Sequence, residues 1–181
     1  SFIDVAAPGP HYGDGSGVRG DIIGDTQHHG GNDKAIYAYA REELDYWQSE
    51  LSRPLASGCF GENLTTQGVD LSALLINQRL RIGTAVLEVS VPRQPCSTFA
   101  GWLGERGWLK RWTARGDCGT YLRIISPGRI QPGDCITMDA PPNHDITMRI
   151  AFAAKMGNRT LAQRVIEAGC LPPHQNNSLR A

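Results

Sequence analysis

A guanidinium, an amide and a thiol fall within four residues at the end of the run Val89-Ser90-Val91-Pro92-Arg93-Gln94-Pro95-Cys96. Pro92 and Pro95 fix φ and remove two backbone donors, so a strand entering this segment must end there and leave Cys96 on a stiff loop. A soft ligand held in place is the chemistry this arrangement offers. The anionic sulfur is the form that binds metals or attacks electrophiles, and the neighbouring Arg93 favours it. The plainer alternative is a small buried hydrophobe, the commonest role of a free cysteine.

Two further tracts carry groups that could act with Cys96. Gly24-Asp25-Thr26-Gln27-His28-His29-Gly30-Gly31-Asn32-Asp33-Lys34 sets imidazoles, a carboxylate and an ammonium around a glycine pair. If the tract leads into a helix, the glycines admit a ligand to the backbone and the helix N-terminus adds amide donors, with Lys34 and a protonated histidine supplying positive charge. That is chemistry for an anion; the plainer alternative is a capped turn with solvated histidines. His28 and His29 are a poor zinc pair, because adjacent side chains rarely converge on one ion. In Gly58-Cys59-Phe60-Gly61-Glu62-Asn63-Leu64-Thr65, the Asn63 amide has donors and acceptors suited to the edge of a heterocycle. Cys59 is a rival thiol, placed by Phe60 in apolar surroundings; Cys118, Cys135 and Cys170 show no partners.

The elements that must position these groups follow from patterning. Residues 8–24 are rich in glycine and read as turn or loop. Ile36, Ala40, Leu44, Trp47 and Leu51 recur at spacings of four, four, three and four, which predicts an amphipathic helix capped by Asn32 or Asp33 and ending before Pro54. Residues 80–83, 85–91, 121–125 and 135–138 read as short strands, with Leu87, Val89 and Val91 on one face. Turn signals recur between them without intervening helices, which predicts a mainly β protein, a closed antiparallel or mixed barrel, with a few peripheral helices. The tract holding Trp102, Trp108 and Trp112 reads as irregular or briefly helical, packed under a long connection. Pro141-Pro142-Asn143 marks a boundary, giving a barrel domain over residues 1–141 and a small helical tail over 142–181. Helices over 147–155 and 159–167, the second stopped by Gly169, would pack on the barrel or on a partner subunit, which allows a homodimer; 174–181 reads as frayed.

Composition narrows the partners. The chain has 181 residues, enough for one good core, and 40% hydrophobic content. Lysine plus arginine balance aspartate plus glutamate at 18 each, so no net field recruits nucleic acid or an anionic membrane. The 5 cysteines form no disulfide framework and no apolar segment spans a bilayer, which predicts a cytoplasmic setting.

Taken in order, GDTQHHGGNDKAIYAY (24–39), FGENLT (60–65), IGTAVLEVSVPRQPC (82–96), GDCGTYLRI (116–124) and PGRIQPGDCI (127–136) resemble the MOSC domain family, in particular its stand-alone YiiM-like branch. At that family's usual proline this chain has Asn32. The tail is similar to the small three-helix extension of the same branch, with a short polar segment where the third helix would lie. The resemblance implies a β-barrel that binds the molybdenum cofactor (molybdopterin), with Cys96 as the protein ligand to molybdenum. It also implies reduction of N-hydroxylated compounds such as hydroxylaminopurines and amidoximes.

On that footing His29, Lys34 and Arg93 are expected at the cofactor's phosphate and Asn63 and Gln94 at its pterin. Cys96, with His29 and Asp33 as proton donors, would carry the catalysis. The expected reaction is oxygen-atom transfer from a small N-hydroxylated substrate. Flavin, nicotinamide and iron–sulfur fingerprints are missing from the chain, so electrons are expected from an external electron-transfer protein. Two alternatives share the same residues: a carrier that binds the cofactor without turnover, and a metal-free enzyme using Cys96 as nucleophile with His28 or His29 as base.

Overall fold

The computed structural model describes residues 1–24, 26 and 29–180, so the expectations placed on Asp25, Gln27, His28 and Ala181 lie outside the described residues. Eight strands and six α-helices are described: β1 (Ile3–Val5), β2 (Ile36–Ala40), α1 (Arg41–Leu51), β3 (Leu64–Thr66), β4 (Arg79–Ile82), β5 (Ala85–Val89), α2 (Ser97–Leu103), α3 (Trp108–Arg115), β6 (Thr120–Ser126), β7 (Gly128–Ile130), β8 (Ile136–Met138), α4 (Met148–Lys155), α5 (Arg159–Ala168) and α6 (Pro173–Asn177).

Six strands form one curled sheet in the order β3-β2-β6-β5-β4-β8, and β1 pairs with β7 separately. All neighbours are antiparallel except β2 and β3. The sheet has two ends, so it is a half-barrel rather than the closed barrel expected. "Mainly β" is a loose description, because the helices cover more residues than the strands. The four predicted strands are present, and β5 shows the expected alternation, with Ala85, Leu87 and Val89 buried.

The predicted helix from Ile36 is half right. Helix α1 begins at Arg41, and Ile36-Tyr37-Ala38-Tyr39-Ala40 is instead a strand buried along its whole length. A spacing of four is also twice the strand period of two, so Ile36 and Ala40 share a face in either structure. The run's β-branched and aromatic content and its burial between β3 and β6 decide for the strand. As a consequence, Asn32–Lys34 is a single 3-10 turn with no side-chain cap, and the anion-binding helix terminus expected after Lys34 is not there.

The aromatic residues form one continuous cluster between the sheet and the helices. Trp47 of α1 packs edge-on against Trp108 of α3 at 4.5 Å between centroids; Trp108 meets Phe60 and Phe99, and Trp112 bridges Phe99 to Phe152 of α4. Such pairs contribute roughly 0.5–1.5 kcal/mol each beyond burial. The tryptophan tract is therefore helical, and Trp108 and Trp112 are core residues as expected.

Helices α4 and α5 appear where predicted. Thr147 and Asn158 cap them by accepting the amides of Ile150 and Leu161, and Gly169, at φ 59°, closes α5. Residues 173–177 form a short third helix rather than a frayed end. Pro173 at its first turn lacks the amide that would go unpaired there, and Tyr12 and Lys155 hold His174, Gln175 and Ser178. Among the described residues no helix is long and apolar enough to cross a membrane.

Candidate functional site

A cavity of about 870 Å³ opens between Tyr37 of β2, Tyr121 of β6, the proline segment 92–96, α2 and the loop over 58–63, with Ser16, residues 21–24, His29 and Lys34 completing its wall. That volume is typical of small-molecule sites. It brings together His29, Lys34, Asn63, Arg93, Gln94 and Cys96 from three separate tracts. Asp33 is outside it.

Cys96 sits where the proline loop turns into α2. Its half-buried sulfur accepts the Phe99 amide at 3.4 Å as the N-cap of that helix, which fixes its direction into the cavity wall. Arg93 donates to the Phe60 carbonyl, and its guanidinium lies over the rings of Tyr37 (4.6 Å) and Phe99 (4.4 Å). Among the described residues the cation is thus held by ring stacking, the Phe60 carbonyl and Tyr37. Gln94, between them, is exposed.

At another part of the wall, the Lys34 ammonium lies over the rings of Tyr12 (4.5 Å) and Tyr121 (5.6 Å), and the Tyr121 hydroxyl meets His29 Nδ1 at 3.4 Å. Burial raises the pKa of Tyr121 against the opposing pull of the Arg93 charge, so it stays a neutral phenol. The backbone turn before Lys34 needs Gly31, whose φ is 76° and where a Cβ would collide with the His11 carbonyl. Lys155 lies behind this part of the wall and donates to the carbonyl of Gln175, itself a lining residue. Burial and the charge of Lys34 bring its pKa down to about 8.

Other groups serve as framework. Asn63 Oδ1 accepts the Tyr37 amide at 2.9 Å, its own amide donates to the Tyr37 carbonyl, and Nδ2 donates to Asp21 at 3.3 Å. The side chain locks the 58–63 loop to β2, and the second hydrogen of Nδ2 is its remaining donor. Buried Glu62 turns away from the cavity and accepts from the amides of Gly58 (2.6 Å) and Phe60 (3.0 Å) and the hydroxyl of Thr65 (3.1 Å). Burial, then Glu62, pushes the Cys59 thiol up, which agrees with the unreactive environment expected beside Phe60. Asp33 pairs with Arg123 at 2.6 Å.

Sequence reasoning did not single out Tyr12, Tyr37, Tyr121 or Gln175 as site residues, and it set Trp102 aside as packing. Tyr37 and Tyr121 are register partners on β2 and β6 with rings 5.2 Å apart, a relationship only the strand pairing reveals. Trp102 is 77% exposed at the cavity rim.

The donor set fits a molybdopterin-type ligand: a half-buried sulfur for a soft metal, and guanidinium, ammonium and imidazole groups for a phosphate, in one cavity of adequate volume. Among the described residues no group of three or more His, Cys, Asp or Glu is placed to hold a bare metal ion.

Comparisons with known proteins agree with this geometry. The MOSC domain model matches residues 25–137. The chain is 40% identical over 156 residues to the uncharacterized protein YflK of Bacillus subtilis, covering 84% of this chain and 71% of YflK. It is 31% identical over 117 residues to the protein YiiM of Escherichia coli, covering 63% of this chain but 52% of YiiM. A protein named Reductase from Gibberella moniliformis is 31% identical over 135 residues, 72% of this chain and 24% of its own length. The crystal structure of YiiM from Geobacillus stearothermophilus superposes with a TM-score of 0.74 at 28% identity, over 83% of this chain and 78% of that one. On the family match and the relationship to YflK, the chain belongs to the MOSC domain family.

Proposed function

We propose that this protein binds the molybdenum cofactor in the cavity at Cys96 and reduces N-hydroxylated compounds such as hydroxylaminopurines and amidoximes. The observation that carries the reading is the convergence of the Cys96 sulfur with Arg93, His29 and Lys34 around one cavity. The name of the fungal relative, Reductase, supports the reductive direction.

When bound, the cofactor would supply two-electron, oxygen-accepting redox chemistry toward the N–OH group. Cys96 is the ligand from this chain, oriented by the Phe99 amide. Arg93, Lys34 and His29 bind the phosphate, the first two lying over tyrosine rings that hold them in place. Gln94 and the remaining Nδ2 hydrogen of Asn63 read the pterin edge. His29, its Nδ1 against the Tyr121 hydroxyl, is the candidate to hold a proton for the departing oxygen. Electrons come from an external electron-transfer protein.

The test is turnover of benzamidoxime to benzamidine by protein made in molybdate-supplied cells, with a reduced dye as electron source. Reduction that scales with bound molybdenum is the expected result. Cofactor bound without any reduction would instead establish a carrier.

A further inference from the structure

Three of the four tryptophans, Trp47, Trp108 and Trp112, are no more than 1% exposed, whereas Trp102 is 77% exposed. A single exposed apolar side chain needs no explanation. Trp102 differs because its ring is held and because of what it borders. The indole Nε1 donates to the Cys59 carbonyl at 3.0 Å, a bond that spans the gap between α2 and the 58–61 loop and sets the orientation of the ring. The helix that carries it is fixed at both ends, by the Cys96 sulfur at its start and by Arg53, which donates to the Leu103 carbonyl at 2.7 Å. Trp102 lines the same cavity as Cys96. Trp102 follows Cys96 by six positions, about 9 Å along the axis at the helical rise of ~1.5 Å per residue, the length of a one- or two-ring molecule.

We propose that Trp102 is a specificity residue whose indole face stacks on the flat ring of a conjugated N-hydroxylated substrate while the N–OH group reaches toward the Cys96 end of the cavity. This rests on the reductive function proposed above. A ring already ordered by a hydrogen bond offers a stacking face with little further entropy to lose, so it favours aryl and heteroaryl substrates over alkyl ones of equal size. The exposed side of the ring is the side a ligand would cover.

The test compares two amidines, the products of such a reduction, by calorimetry on cofactor-loaded protein: benzamidine, which is flat, and cyclohexanecarboxamidine, which is not. The unmodified protein should prefer benzamidine. Trp102→Ala should weaken benzamidine about tenfold and leave cyclohexanecarboxamidine within about twofold, whereas Trp102→Phe, which keeps a ring and loses the bond to Cys59, should retain benzamidine within about threefold. Absence of a preference in the unmodified protein, equal effects of Trp102→Ala on both amidines, or failure of phenylalanine to rescue would each overturn the proposal. Turnover separates it from the reading it rests on. A preference for benzamidine without reduction of benzamidoxime contradicts the reductase alone, and reduction without the preference contradicts the stacking alone.

Discussion

Arg123 Nε lies 2.6 Å from Asp33 Oδ1, so the residue directly before Lys34 is tied to the centre of the sheet. Through Nη1 the same guanidinium reaches Glu88 on β5 at 2.9 Å and Asn77 at 3.1 Å. All three charged side chains are less than one-fifth exposed. This network, rather than a helix N-terminus, holds the turn that presents Lys34.

Replacing Arg123 leaves Asp33 without this counter-charge, and Glu88 with only its longer contact to Arg79 at 3.4 Å, in a poorly solvated site. Arg123→Ala is expected to destabilise the protein by about 3–5 kcal/mol in urea unfolding, and Arg123→Lys should recover only part of that, because a point charge cannot serve three acceptors in fork geometry. A loss below about 1 kcal/mol for Arg123→Ala would show that the network is not what secures the turn.

Glu62 holds the opposite lip. Its carboxylate satisfies two amides and a hydroxyl while itself only 7% exposed. Glu62→Ala should cost about 2–3 kcal/mol and increase hydrogen exchange at the Gly58 and Phe60 amides while leaving β5 and β6 protected. Unchanged exchange at those two amides would contradict the role.

The proline-ended segment could be read from the sequence because its effect is local: Pro92 and Pro95 stop the ladder whatever the rest of the chain does. The strands of residues 79–89 were legible for the same reason, since one face of each is buried and the alternation survives. β2 was not, because both its faces are buried and a period of two hid inside a spacing of four. The tyrosines of the site were illegible because their meaning lies in register, Tyr37 opposite Tyr121, and register is set by the paired strand. Asn63 and Glu62 illustrate a further limit. The Asn63 amide was read as a contact for a heterocycle, and only coordinates show that it and Glu62 fasten the loop.

Asp117 gives the stability a pH dependence. Burial, followed by the charge of Glu43, raises its pKa from the usual 3.8 to about 6. The folded state therefore binds the proton more tightly than the unfolded chain. The resulting stabilisation is full below about pH 4 and is lost as pH rises through 6, by roughly 3 kcal/mol at most. Asp117→Asn removes this loss, so its stability relative to the unmodified protein should improve between pH 4.5 and 7 and level off above. A constant difference across that range in urea titrations would contradict the assignment.

The central claim is that the Cys96 sulfur is this chain's ligand to molybdenum. It is tested most directly by metal analysis, with pterin fluorescence after oxidation, on protein from molybdate-supplied cells. Unmodified protein should carry molybdenum and pterin together, and Cys96→Ala should lose the metal while keeping its circular dichroism and unfolding midpoint close to unchanged. Cys96→Ala protein that retains its full molybdenum content would contradict the account.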